Sequence, residues 1–412
     1  MGYLKQALKG ISWMTALEGV TKAVAVLKIA ILARILSPSQ FGSYGIALLV
    51  LGFLEVITET GINIFLVQQK DDIRKYLSSA WVVSIIRGIL MSLLIIVSVP
   101  IITTFFKTPE VTNLLYLVAV VAFIRGFINP MEVTFQKNLD FMKQFMFQGL
   151  LYLVDAGVAV SLGLLTHSES AMIISMIVAA ILEVILSFVI FKDRPTLKLD
   201  KEKFLEVIHS GKWVTGAGIF AYIFQNIDNV VIGRVLGTTS LGFYQQSYSV
   251  STLPVSGVSD IFNAVMFPVF VKISDDIKIL KKTFYRAFTA ILSMAIIFGI
   301  VMFFFAHPII LIFLGSKWLV IEPVLKILAI FGVLKSALNS TYSLFLSLKM
   351  QKIVMFSEMF GIAGMGIVIY PMVMKFGIVG AGYSTIIAVI CSLPVVIVNI
   401  QKIFNSKNEQ KA

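Results

Sequence analysis

Between residues 12 and 401 the chain runs as a succession of apolar stretches of about 20 residues or more, separated by short polar connections. A helix of that length rises about 30 Å, enough to cross the hydrocarbon core of a bilayer. Alternation of period two is absent, which excludes barrel strands. An α-helix is the remaining way to satisfy every backbone group inside hydrocarbon. The stretches fall near 12–36, 42–67, 77–104, 111–131, 145–165, 170–191, 213–236, 242–271, 284–305, 321–348, 353–374 and 378–401. Only 14% of the 412 residues are charged and the mean hydropathy is +0.94, too apolar for a soluble domain of this size. The expected fold is an all-α polytopic membrane protein with twelve transmembrane helices.

The net charge of +12 would point to nucleic acid in a soluble protein, but here its placement decides. With both termini on one side, the loops of that side carry 23 Lys and Arg, from Lys5 and Lys9 through Lys201, Lys203 and Lys212 to Lys411. The opposite loops carry three, namely Lys107, Lys317 and Lys375. Such asymmetry places the termini in the cytoplasm and makes the basic excess a topology signal, with no nucleic-acid partner. Cys391, the lone cysteine, lies in the last span, so neither a disulfide framework nor a thiol metal site is expected. No removable signal peptide is expected, and residues 3–12 have the pattern of a helix lying at the membrane surface.

A self-match divides the chain. Ile31-Leu-Ala-Arg34-Ile-Leu36-Ser-Pro-Ser-Gln-Phe41-Gly42-Ser-Tyr44 recurs 200 residues later as Val231-Ile-Gly-Arg234-Val-Leu236-Gly-Thr-Thr-Ser-Leu241-Gly242-Phe-Tyr244. Two related halves follow. They are a six-helix bundle over 1–191, a cytoplasmic linker with an amphipathic helix over 192–212, and a second six-helix bundle over 213–412. Six spans per half is even, so both repeats share one orientation. Arg34 and Arg234 close their helices at the outer end, where a cation caps free carbonyls and meets the helix dipole.

Ionisable residues inside a span cost about 2.5–3.5 kcal/mol each on insertion scales and usually face a bundle interior or a watery cavity. Eight cations (Lys22, Lys28, Arg34, Arg87, Arg125, Arg234, Lys326, Lys335) and eight acids (Glu18, Glu55, Glu59, Asp155, Glu183, Asp228, Asp260, Glu358) fall there, five of each in the first half. Glu18 and Lys22 stand one turn apart and are expected to pair. Lys326 and Lys335, nine residues apart, lie on opposite faces. Pro254 and Pro268 kink the eighth span. The repeat register brings Lys28 into correspondence with Asp228, an opposite-charge pair that can meet at the pseudo-axis or be satisfied separately within each bundle.

The run Asn226-Ile-Asp-Asn-Val-Val-Ile-Gly-Arg-Val-Leu-Gly-Thr-Thr-Ser-Leu-Gly-Phe-Tyr244, with Leu253-Pro254 and Met266-Phe-Pro268, resembles the Wzx-type polysaccharide exporters and oligosaccharide-lipid flippases of the multidrug/oligosaccharidyl-lipid/polysaccharide transporter superfamily. Leu32 to Tyr44, Glu59-Thr-Gly61, Leu66-Val-Gln68, Gly315-Ser-Lys-Trp318 and Pro323 to Leu328 extend the resemblance over most of the chain. It implies two bundles around a central cavity and alternating access. It also implies transport of undecaprenyl-diphosphate-linked oligosaccharide from the inner to the outer leaflet of the bacterial cytoplasmic membrane. On that reading Lys22, Lys28, Arg87 and Arg125 are the candidate diphosphate and glycan contacts, with Arg suited to bidentate phosphate binding. Glu18, Glu55, Asp155 and Asp228 are the candidate coupling acids, for a proton or sodium ion, and no other cofactor is expected. Expected partners are the lipid-linked oligosaccharide, membrane lipids, and a polysaccharide polymerase with its assembly proteins, around a monomeric transport unit.

A lipid II flippase and a cation-coupled multidrug antiporter are the alternatives within the superfamily. An enzyme acting on lipid-linked sugars is disfavoured by the short outer loops and by three scattered histidines, His167, His209 and His307. They show neither metal-ligand spacing nor a nucleophile-base arrangement.

Overall fold

The computed structural model describes residues 2–58, 66, 73–138, 140–197 and 201–405, and among these there is no strand. Glu59 and the Glu59–Gly61 motif lie outside them, as do the side chains of residues 2–15 and of Asp260. The helices are α1 (Gly2–Ile35), α2 (Pro38–Ile57), α3 (Arg74–Phe106), α4 (Val111–Arg125), α5 (Thr134–Lys137), α6 (Phe141–Thr166) and α7 (Ser170–Ile190). They continue with α8 (Lys201–Lys272), α9 (Ile277–Phe304), α10 (Ala306–Phe313), α11 (Glu322–Ser347) and α12 (Gln351–Asn405). Short 3-10 turns at Pro130–Val133 and Ser316–Ile321 complete the order.

Two of these helices are too long for one span, and a glycine divides each. Gly237 stands at φ 82, ψ −179 inside α8, and Gly377 at φ 60, ψ −140 inside α12. Both lie in positive-φ backbone that a residue with a Cβ seldom enters, so each acts as the turn between consecutive spans. Divided there, and with the short α5 and α10 set aside, the described helices follow the twelve expected stretches in order. Among the described residues six helices are individually long and apolar enough to cross a membrane, and α4 with the segment Pro130–Lys137 is so only as a pair, bent by 74°.

The repeated motif shows how each half starts. In the first copy α1 ends at Ile35, and Ser37 opens α2 with a capping box: its hydroxyl accepts from Gln40 N–H while the Gln40 side chain accepts from Ser37 N–H. Pro38 fits the first turn, where its missing N–H has no partner to lose. In the second copy Gly237 does the same work by backbone geometry. Arg34 falls in the last turn of α1, at the helix end expected for it.

The chain forms two compact units. In the first (residues 1–226 with 237–239), α1 packs on α6, α3 on α4, α6 on α7, and α4 on α7 and α2. In the second (227–236 with 240–412), α9 packs on α11 and α11 on α12. On the outside of α3, Ile86, Leu90, Leu93, Val97 and Ile101 are exposed, the side that lipid would cover. Within the stretch 192–212, where an amphipathic helix is expected, α8 begins at Lys201 and runs unbroken to the turn at Gly237, the side chains of residues 201–217 lying outside the described ones.

Candidate functional site

Two glycines set the geometry of the first unit's charged interior. A Cβ built on Gly88 would come 2.8 Å from Gly126 Cα, so α3 and α4 cross at backbone distance. Small residues permit this approach between membrane helices. It sets their chain neighbours Arg87 and Arg125 around a common acid on α2. The Arg87 guanidinium donates to Glu55 O at 2.9 Å and to Thr58 Oγ1 at 3.3 Å. Arg125 Nη1 pairs with Glu55 Oε1 at 3.1 Å. One helix end therefore holds both guanidinium groups, through a backbone carbonyl for one and a carboxylate for the other.

Deeper pairing involves α1 and α6. Lys28 Nζ lies 2.6 Å from Asp155 Oδ2, and Ser175 Oγ on α7 donates to Asp155 Oδ1 at 2.7 Å. Glu18 and Lys22 form the expected one-turn pair at 3.6 Å. Charges inside a bundle need partners, and here three of the four candidate substrate cations, Lys22, Lys28 and Arg125, meet candidate coupling acids, while Arg87 is held by the Glu55 backbone carbonyl and Thr58. Sequence separated these two groups by role; the fold joins them.

Beside the arginines lies a cavity of about 380 Å³, entirely within the first unit. Arg87, Arg125 and Ser84 form one wall; Asn129, Glu132, Gln136, Gln144, Gln148 and Glu183 contribute the rest of its polar lining. The bend after α4 places Glu132 there. Asn129 is fully buried at that bend: its N–H donates to Ser187 Oγ, its Nδ2 to Asp193 O, and its Oδ1 accepts from Met131 N–H. Phe135, packed against Phe147 and Phe191, closes the adjoining face. A second hollow of about 110 Å³ shares Ser84, Arg87 and Arg125 and reaches Glu55, Gly88 and Gly126.

In the second unit Asp228 is buried, accepting from Tyr244 Oη at 2.8 Å and from Asn229 Nδ2 at 3.0 Å. Lys28 and Asp228, aligned by the repeat, thus each have partners within their own unit. Lys335 donates to Tyr248 Oη at 2.9 Å and sits over the Tyr248 and Phe331 rings at 5.7 and 5.4 Å. Lys326 instead binds Glu322 Oε1 at 2.7 Å, one turn away, in keeping with opposite faces. No group of three His, Cys, Asp or Glu among the described residues has the arrangement of a metal site.

Gln144, Gln148, Ser175 and Glu132 were not singled out from sequence. A signal did exist. At about 100° per residue, Gln144, Gln148 and Asp155 fall within about 40° of one another, a polar stripe along an otherwise apolar helix.

Comparison with known proteins agrees with this architecture. A family described as "Polysaccharide biosynthesis protein" matches residues 31–323. An "Uncharacterized membrane protein in cps region" of Klebsiella pneumoniae is 28% identical over 83% of this chain and 71% of its own. The "Teichuronic acid biosynthesis protein TuaB" of Bacillus subtilis (strain 168) is 25% identical over the same shares, 83% and 71%. Among solved structures, "Lipid II flippase MurJ, inward closed conformation" superposes with a TM-score of 0.71 at 16% identity, covering 94% of this chain and 88% of that one. An inward-facing multidrug resistance MATE family transporter of the MOP superfamily gives 0.68 at 15% identity, covering 94% and 96%. The fold is that of these two transporters. This chain belongs to the family described as polysaccharide biosynthesis protein.

Proposed function

We propose that the protein carries an undecaprenyl-diphosphate-linked oligosaccharide from the inner to the outer leaflet of the bacterial cytoplasmic membrane, by alternating access and with both termini in the cytoplasm. A saccharide headgroup with its diphosphate cannot enter hydrocarbon unaided, whereas its lipid tail can stay there. A polar, laterally open path meets both demands. The observation that carries the reading is the two neighbouring guanidinium groups of Arg87 and Arg125, both anchored on Glu55 at the rim of a polar cavity in the first unit. Arg is suited to diphosphate because its planar fork matches phosphate oxygens in pairs. Lys22 and Lys28 supply further point charges.

The ion pairs offer a coupling device. Each cation is neutralised while its acid is ionised. A proton or sodium ion on Asp155, Glu55 or Glu18 would loosen the paired Lys28, Arg125 or Lys22 and free it for phosphate; Asp228 is the corresponding acid of the second bundle. One charge crossing 100 mV yields about 2.3 kcal/mol, enough to bias such an exchange. Deletion of the gene should accumulate lipid-linked oligosaccharide facing the cytoplasm. A strain that exports its polysaccharide normally after deletion rejects the proposal. Lipid II as the cargo is a second reading, favoured by the similarity to a lipid II flippase fold. Loss of peptidoglycan precursor export in the same strain would select it. An antiporter of organic cations, as the similarity to multidrug transporters would suggest, predicts drug sensitivity with glycan export intact.

A further inference from the structure

The cavity beside Arg87 and Arg125 has an imbalance that its neighbours do not resolve. Among the described residues, the carboxylates of Glu132 and Glu183 make neither a hydrogen bond nor an ion pair, although both line the space. Gln144 is 5% exposed, and its Oε1 also has no partner. Three acceptor groups thus face one hollow without donors, on three different elements. Buried acceptors in native proteins are nearly always matched, so the buried Gln144 Oε1 calls for a donor in the hollow, beside the half-buried carboxyl groups of Glu132 and Glu183.

The opposite wall limits what that occupant is. Two guanidinium groups repel a bare cation, and no third acid completes an ion cage among the described residues. The ionisable groups of the lining are two Arg and two Glu, and its volume of about 380 Å³ lies in the range of small-ligand sites, about 300–1,000 Å³. A ligand that donates on one side, accepts on the other and carries no net charge satisfies both walls. Hydroxyl groups do both at once. Apolar side chains of Ile128, Pro130 and Val133 also line the space and suit the C–H face of a ring.

We propose that this cavity is a monosaccharide site, taking one hydroxylated sugar ring whose hydroxyls donate to Glu132, Glu183 and Gln144 Oε1 and accept from Arg87 and Arg125. In the transport cycle the ring is one sugar of the headgroup, and the assignment rests to that extent on the export reading. The sugar side of the site then belongs to α6, α7 and the bend after α4, while the arginines are shared between sugar and phosphate.

The test is direct binding to the full chain in nanodiscs, with methyl glycosides of a hexose, an N-acetylhexosamine and a hexuronic acid, read by calorimetry and by the thermal midpoint. A saturable signal from at least one glycoside is expected. It should weaken about tenfold or more in Gln144→Leu and in the conservative Glu183→Gln, and stay unchanged in Lys375→Ala, which lies in the connection between the last two spans. If Gln144→Leu fails to fold, Glu183→Gln and Gln148→Ala carry the comparison. Absence of glycoside binding, binding that these variants leave untouched, or a response confined to sodium or to glycine overturns the proposal. The two readings separate cleanly: export without glycoside binding rejects the cavity assignment alone, and glycoside binding without export rejects the transport reading.

Discussion

Lys28 Nζ lies 2.6 Å from Asp155 Oδ2, joining the first helix to the sixth across 127 positions of sequence. Both side chains are mostly buried, at 13% and 20% exposure, so removing either leaves a charge that water reaches poorly. Single reversal of Lys28 or Asp155 should destabilise the protein by up to about 3–5 kcal/mol, the cost of orphaning a buried charge. Exchanging the two charges should restore part of the thermal midpoint and of export. Exchange of Lys28 with Asp228, the partner aligned by the repeat, should restore less. Equal rescue by both exchanges would place Lys28 at two partners in turn.

Arg87 spreads its guanidinium over Glu55 O and Thr58 Oγ1, which a lysine ammonium cannot reproduce with the same geometry. Arg87→Lys should therefore lower export about tenfold or more, and Arg87→Ala should abolish it, with membrane levels of the protein retained. Full activity in Arg87→Ala would remove this residue from the transport path.

The crossing of α3 and α4 sets a steric limit. Gly88→Ala forces its Cβ against the backbone of Gly126, and the helices must separate. A loss of about 1–3 kcal/mol is expected, as for other overpacked contacts, together with impaired export as Arg125 leaves Glu55. Gly366→Ala on α12, where a Cβ meets nothing within 4 Å, should be close to neutral. Thermal unfolding in detergent compares the two.

Gly237 isolates a backbone effect. A Cβ there meets no neighbour, yet φ is +82. Gly237→Ala should cost about 1–3 kcal/mol through strain alone, while Thr239→Ala, two residues on, should not. A midpoint unchanged in Gly237→Ala would mean that the turn relaxes freely.

Topology can be read with thiols once Cys391 is replaced by Ser. Glu110→Cys, in the connection after α3, should react with an impermeant maleimide in intact cells. Asp275→Cys, between α8 and α9, should react only after permeabilisation. The reverse pattern would invert the orientation drawn from the loop charges.

The sequence determined what lipid and the backbone demand. Apolar stretches must be helices, loop cations set the orientation to expect, and the matching motifs around Arg34 and Arg234 mark two related stretches. Even the Glu18–Lys22 pair was legible, because neighbours one turn apart meet on any helix. The long-range pairs were not. Asp155 for Lys28, and Glu55 for Arg87 and Arg125, depend on which helices pack together and at what depth. Repeat alignment offered Asp228 instead, since equivalence in register says nothing about contact. The cavity was further out of reach. Its acceptors Glu132, Gln144 and Glu183 come from separate elements, which share one space only once the helices are packed. Helix identity follows from local hydrophobicity, which sequence records residue by residue. The site follows from the angles and depths at which helices cross, which belong to the packed whole.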